Sequence, residues 1–197
     1  VVCAGLILGC CNQQMGTEDY QSTIVNEDGT VTFQYKNDNA KEVFVDVQFA
    51  GKNKMKRDSL SGLWTVTLGP AAPDMYPYNF QVDGVGVMDP MCDQYFPNEG
   101  FKNSLLEISS NDGSLPHDIN NVPHGRMESV HYYSESLGGT NTALVYLPPS
   151  YSEKKNQSYP VFYLISGTTD TEEVYYKVGR VNYILDNLLA EGKAKEM

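Results

Sequence analysis

Ser166, Gly167 and Thr168 are the residues of this chain whose types and setting point most directly to chemistry. They follow the continuous apolar run Val161-Phe162-Tyr163-Leu164-Ile165 and precede the hydroxyl and acidic run Thr169 to Glu173. A short run that is apolar at every position reads as a strand buried on both faces, as in a parallel sheet covered by helices. A glycine-bearing turn after such a strand sits at its carboxyl end, where ligands and catalytic groups gather in open α/β sheets. His117, His124 and His131 recur every seven residues, a spacing that invites a metal reading. Two of them fall in predicted loop and no carboxylate cluster accompanies them, so no metal site is expected. Of the four cysteines, Cys3, Cys10 and Cys11 crowd the first eleven residues and Cys92 stands alone. That pattern is neither a disulfide framework nor a zinc site.

The elements that must hold the 166–168 turn are readable around it. After the turn, Asp170 with Glu173, or Thr169 with Glu172, can form a capping box that starts a helix. Val178, Val181, Ile184, Leu185 and Leu188 make its apolar stripe, which ends near Gly192. Before the turn, Met127 to Leu137 predicts a strand with Val130, Tyr132 and Ser134 on one face. Gly138-Gly139 turns the chain into the strand Thr142–Leu147, stopped by Pro148-Pro149. This second region runs from 126 to 197 and is joined by a linker, 111–125, rich in Gly, Ser, Asn, Asp and Pro. The linker is expected to fold back as ordered coil.

Residues 23–110 carry a β pattern. Val31 to Tyr35 alternates, Val43, Val45, Val47 and Phe49 share a face, and Trp64, Val66 and Leu68 share another. Tyr76 to Val82 runs into Asp83-Gly84, a hairpin signal, and Leu105 to Ile108 is a last short strand. Strands this short at this spacing indicate a β-sandwich.

Composition limits the function. Fourteen basic against 25 acidic residues give a net charge of −11, which argues against nucleic acid, since phosphate binding needs a basic face. It suits a soluble protein with a neutral substrate. Hydrophobic residues make up 41% of the chain, enough for a packed core. Val1 to Gly9 is apolar but too short to span a bilayer, and reads as the h-region of a secretory signal whose charged start is missing. Ile7-Leu8-Gly9-Cys10 resembles the lipobox of bacterial lipoproteins, which implies lipidation of Cys10. Residues 1–22 are then signal and tether, and the protein is expected to be secreted to the bacterial cell envelope.

Two larger resemblances follow from quoted stretches. Gly62-Leu-Trp-Thr-Val-Thr-Leu68, Tyr76-x-Tyr-x-Phe-x-Val-Asp-Gly84 and Asp89-Pro90 resemble the immunoglobulin-like early-set module of glycogen-branching and debranching enzymes. Some of those modules bind polysaccharide through exposed aromatics, which makes Trp64, Tyr76 and Tyr78 candidate sugar contacts, with core packing as the competing reading for each. VPHGRMESVHYYSESLGGTNTALVYLPPSY and YPVFYLISGTTDTEEVYYKVGRVNYILDNLLAEGKAK resemble bacterial feruloyl and acetyl xylan esterases of the first carbohydrate esterase family, the esterase D-like group. The resemblance implies an immunoglobulin-like β-sandwich followed by the amino-terminal part of an α/β-hydrolase domain.

That family hydrolyses esters with a serine triad and backbone oxyanion donors. The resemblance assigns the oxyanion loop to Ser166-Gly167-Thr168, with Thr168 the first donor and Gly167 the next, and with Ser166 in place of the usual histidine. The family's nucleophile sits in a Gly-x-Ser-x-Gly elbow. No such elbow occurs in these residues, so the chain is expected to be a fragment, cut at both ends, without turnover of its own. Its apolar helix face and sheet edge are expected to be uncovered. No cofactor is implied. The implied partner is a plant polysaccharide, xylan or another glucan, with membrane contact only through a lipid anchor. The competing readings are a non-catalytic carbohydrate-binding module and a spacer that only positions the esterase.

Overall fold

The computed structural model describes residues 20–110, 112–151 and 158–197. The signal-like stretch and its candidate lipidation residue Cys10 lie outside the described residues.

Alternating apolar side chains dictate the first part of the chain. Its strands are β1 (Thr23–Val25), β2 (Val31–Lys36), β3 (Val43–Val47), β4 (Gly51–Lys54), β5 (Lys56–Arg57), β6 (Leu63–Leu68), β7 (Asp74–Val82), β8 (Val85–Val87) and β9 (Ser104–Ile108). One antiparallel sheet has the order β1-β2-β6-β5. The other runs β4-β3-β7-β8, and β9 pairs with the opposite end of β7. Every second residue of β3 is buried, so Val43, Val45 and Val47 face one core with Phe33 of β2, Trp64 of β6, and Tyr78 and Phe80 of β7. The two sheets therefore share that core. Phe33 and Phe80 are fully buried, each worth about 2 to 3 kcal/mol of transfer free energy.

The turns follow from the sequence too. Val82 pairs with Val85 across a two-residue loop in which Asp83 and Gly84 both have positive φ, 50° and 85°. This is the geometry that an Asp-Gly pair accepts and that matches strand twist. The Asp83 carboxylate also accepts from the N–H groups of Lys41 and Glu42, which fixes the chain's entry into β3.

Residues 126–197 begin with an antiparallel hairpin of two nine-residue strands, β10 (Arg126–Ser134) and β11 (Gly139–Leu147). The expected third strand does not form. Val161 to Ile165 runs without a ladder partner and is exposed throughout, from 41% at Leu164 to 86% at Ile165. A strand needs a partner for its backbone and a layer over its side chains. The described residues supply this segment with neither.

Two helices follow, α1 (Val174–Lys177) and α2 (Val181–Ala190). Neither expected capping box is used. The N-cap positions are Glu173 and Arg180, without side-chain caps, and Gly179 and the left-handed Arg180 (φ 48°) break the helix in two. The helix ends as expected. Gly192 (φ 68°) donates to the Leu189 carbonyl and Lys193 N–H to that of Leu188, a complete Schellman cap.

The face that α2 buries is the opposite of the expected one. Asn182, Asp186 and Asn187 are buried, whereas Val181, Ile184, Leu185 and Leu188 are only half-buried. Hydrogen bonds account for the burial of Asp186 and Asn187. Asn187 Nδ2 donates to the carbonyls of Pro116 and Asp118, which folds the linker against the helix as ordered coil.

Candidate functional site

The 166–170 loop is a tight turn. Asp170 N–H donates to the Gly167 carbonyl at 3.2 Å, and the Ser166 hydroxyl donates to the Asp170 carbonyl at 3.2 Å. A side chain at position 167 would place its Cβ 3.0 Å from Asp170 Oδ2, so the Asp170 carboxylate would have to give by a few tenths of an ångström. The N–H groups of Gly167 and Thr168 donate to no partner among the described residues, and both residues are exposed. Two consecutive free amides in a fixed turn can bind a carboxylate, a phosphate or the oxyanion of an acyl-transfer intermediate.

The turn is held from the amino-terminal sheets. The segment between β8 and β9 crosses to it and pairs with it. Glu99 N–H donates to the Thr169 carbonyl at 2.8 Å, and Thr171 N–H donates to the Pro97 carbonyl at 3.0 Å. Asn98 Nδ2 donates to Thr169 Oγ1 at 2.9 Å and to Asp170 Oδ1 at 2.6 Å. Asp170 is thus engaged by Asn98, which is why it does not cap a helix.

Further along, Lys177 donates to the Tyr95 hydroxyl at 2.8 Å and pairs with Glu173 at 2.9 Å. Partial burial works against its charge, but the bonds to Glu173 and Tyr95 together outweigh burial and hold its pKa above the ordinary lysine value. Arg180 pairs with Glu107 of β9 in the same contact.

A second cluster surrounds Asp186. Its carboxylate is 1% exposed and accepts from Tyr146 Oη at 2.6 Å and from Gly125 N–H at 2.8 Å, while its other oxygen meets His124 Nδ1 at 2.8 Å. Burial first, then the bond to Asp186, pushes the Tyr146 phenol well above its usual pKa. Gly125 lets the backbone approach, since a Cβ there would sit 2.4 Å from the Leu147 carbonyl oxygen. An open cavity lies beside His124, lined also by Ile119, Met127, Tyr176, Asn182 and Tyr183. A His–Asp pair can orient an imidazole for proton transfer, but among the described residues no serine, threonine or cysteine lines this cavity. The arrangement acts as a staple joining linker, β11 and α2. Sequence reasoning missed it. The signal was the His124-Gly125 pair together with the polar positions Asn182, Asp186 and Asn187 on one side of the helix.

The aromatic candidates divide. Trp64 is 5% exposed and donates its indole N–H to the Asn37 carbonyl. Tyr78 is 1% exposed, donates to Asp89 at 2.6 Å, and burial pushes its phenol far up in pKa. Neither ring presents a face to solvent, so neither can stack on a sugar. Alternation already placed Trp64 inward. Tyr76 is half-buried, with its ring edge-on to Phe49 and its hydroxyl donating to the Ala72 carbonyl. His117 and His131 lie apart from His124, with His131 beside Thr142 on the hairpin.

Residues 134–197 match the Esterase family model. An endo-1,4-beta-xylanase/feruloyl esterase of Xylanibacter ruminicola is 33% identical over 177 residues, which cover 87% of this chain and 24% of that protein. The chain thus spans about a quarter of the length of that curated relative. Among solved structures, the ferric enterobactin esterase of Salmonella typhimurium aligns with a TM-score of 0.40 at 18% identity, covering 62% of this chain and 42% of that one. The pullulanase of Paenibacillus barengoltzii, crystallised with maltohexaose and alpha-cyclodextrin, aligns at 0.35 and 21% identity, covering 47% and 15%.

Proposed function

We propose that this chain forms the amino-terminal part of a serine carboxylic-ester hydrolase acting on feruloyl or acetyl esters of plant cell-wall xylan. The observation that carries the reading is the 33% identity, over 87% of the chain, to a xylanase/feruloyl esterase. The match of residues 134–197 to the Esterase family model supports it. In this reading residues 23–110 are an immunoglobulin-like early-set module, 111–125 the linker, and 126–197 the opening of an α/β-hydrolase domain. The nucleophile, acid and histidine come from residues beyond these 197.

The chain's own contribution to the reaction is electrostatic. As a serine attacks the ester carbonyl, charge develops on its oxygen. The free N–H of Thr168, seconded by that of Gly167, would meet that oxygen without any reorganisation, because the turn already fixes them. Serine at position 166 does not interfere, since its hydroxyl is turned back onto the Asp170 carbonyl.

The test is hydrolysis of methyl ferulate and an aryl acetate. The 197-residue chain is expected to match a boiled control. The protein read through from the same gene should hydrolyse at least one of the two. In that protein Thr168→Pro, which deletes the donor at a position where a turn accepts proline, should lower kcat about 100- to 1000-fold. No hydrolysis by the longer protein would sink the esterase reading, and an unchanged kcat in Thr168→Pro would sink the oxyanion role of that amide.

We also propose that Cys10 carries a lipid that holds the protein at the bacterial cell envelope. Incorporation of labelled palmitate should be abolished by Cys10→Ser, and equal labelling of both forms would contradict it.

A further inference from the structure

We infer that Asn98, a residue of the amino-terminal β unit, is a positioning residue for the 166–170 loop, so that this unit braces the oxyanion site as well as lying beside it. The inference rests on the reading of that loop just given. Asn98 is 5% exposed and sits next to the fully buried Pro97. Each half of its amide has a separate task. Oδ1 accepts from Gly100 N–H at 2.7 Å and Phe101 N–H at 3.0 Å, which shapes the segment that carries it. Nδ2 donates outward to Thr169 Oγ1 and Asp170 Oδ1, which belong to the loop.

Backbone bonds from Glu99 and to Pro97 flank this contact on both sides. The turn's own closing bond, from Asp170 N–H to Gly167 O, therefore has its donor residue pinned by Asn98. Thr169 cannot rotate while it is held at both its hydroxyl and its carbonyl. Gly167 and Thr168 are the remaining residues of the turn, and their amide directions are fixed by these neighbours. A spacer would need only surface contact. A fully bonded, buried amide spanning some seventy residues of sequence, with its donors aimed at the turn, specifies that turn's geometry.

Residue exchange separates this role from a general contribution to folding. Asn98→Asp keeps the acceptor for Gly100 and Phe101 but removes both donors and sets a carboxylate against Asp170. Adding Asp170→Asn restores the bond with donor and acceptor reversed. The readouts, on the 197-residue chain, are amide exchange of Thr171 and Glu99 and the 15N order parameters of Gly167 and Thr168. Asn98→Asp is expected to speed exchange of Thr171 and Glu99 about tenfold, the equivalent of one hydrogen bond to a charged group. It should also drop the order parameters of Gly167 and Thr168 from about 0.85 to below about 0.6. The double exchange should return both readouts most of the way, while amides of β3 stay unchanged throughout. Thr169→Val, which removes one acceptor only, should give a partial effect in the same direction.

Unchanged loop order in Asn98→Asp, no recovery in the double exchange, or equal loosening of β3 would each overturn the inference. None of these readouts requires turnover. A braced loop combined with an unaffected kcat in Thr168→Pro would therefore refute the oxyanion role of Thr168 and leave the brace standing.

Discussion

Replacing Asp186 with alanine tests whether the buried carboxylate joins three elements. The substitution removes the acceptor for Tyr146 Oη and Gly125 N–H and the partner of His124 Nδ1. Hydrogen bonds to a charged group contribute about 1.5–3 kcal/mol each, but the three share one carboxylate and do not add. Leaving Tyr146 Oη and Gly125 N–H without an acceptor costs about 1–3 kcal/mol each, while the half-exposed His124 can turn to water, so about 4 kcal/mol is expected, or roughly a thousandfold in a local opening equilibrium. The loss should appear where the bonds are. Gly125 N–H exchange should accelerate by two to three orders of magnitude. The protein has one tryptophan, Trp64, and it sits in the other core. Its fluorescence midpoint in urea should therefore not move. Asp186→Asn keeps the shape and one oxygen that can accept from both Tyr146 and Gly125, so about 1–2 kcal/mol is expected for it. If alanine changes Gly125 exchange by less than about threefold, or if asparagine costs as much as alanine, the carboxylate is not the joint described.

Two further predictions concern the same region. Gly125→Ala places a Cβ 2.4 Å from the Leu147 carbonyl oxygen and 2.5 Å from the Tyr146 ring, so β11 must shift. Overpacking of this kind costs about 1–3 kcal/mol, and Tyr146 ring resonances unmoved by the change would contradict the contact. Asp118 accepts from Ser110 Oγ and Leu115 N–H, and these bonds, Ser110 first, hold its carboxyl below 3.8. Its folded pKa is depressed, so the stabilisation these two bonds contribute is complete above the unfolded value and is lost as pH falls through the lower folded value. Leu115 amide protection should therefore persist at pH 4 and fade only below it. Loss of protection already near pH 5 would show that a group other than Asp118 holds the Leu115 amide.

Much of the first fold unit was legible because one physical signal carried it. Strands β2, β3, β6 and β7 alternate apolar and polar residues, and Asp83-Gly84 names its own turn. The short strands β4 (GKNK) and β5 (KR) were missed because they bury no apolar face and pair only at sheet edges. The apolar run Val161–Ile165 was misread because an apolar pentapeptide states a need for cover, and the cover must come from elsewhere. The capping boxes failed through tertiary competition, since Asp170 bonds to Asn98 from another unit. Local patterns identify the 166–168 turn, but not the asparagine that holds it.

The inverted packing of α2 has a consequence for how this sequence can drift. An apolar face accepts many combinations of side chains, provided total volume is kept. A polar face does not, because each bond needs one donor and one acceptor in one direction. Asp186 and Asn187 fix the helix rotation by five contacts to the linker and β11. In a randomised library selected only for a folded product, these two positions should therefore stay invariant, while Val181, Ile184, Leu185 and Leu188 interchange freely among apolar residues. The residues that look most like a helix core are the replaceable ones, and the rotational address of the helix is written in its polar letters.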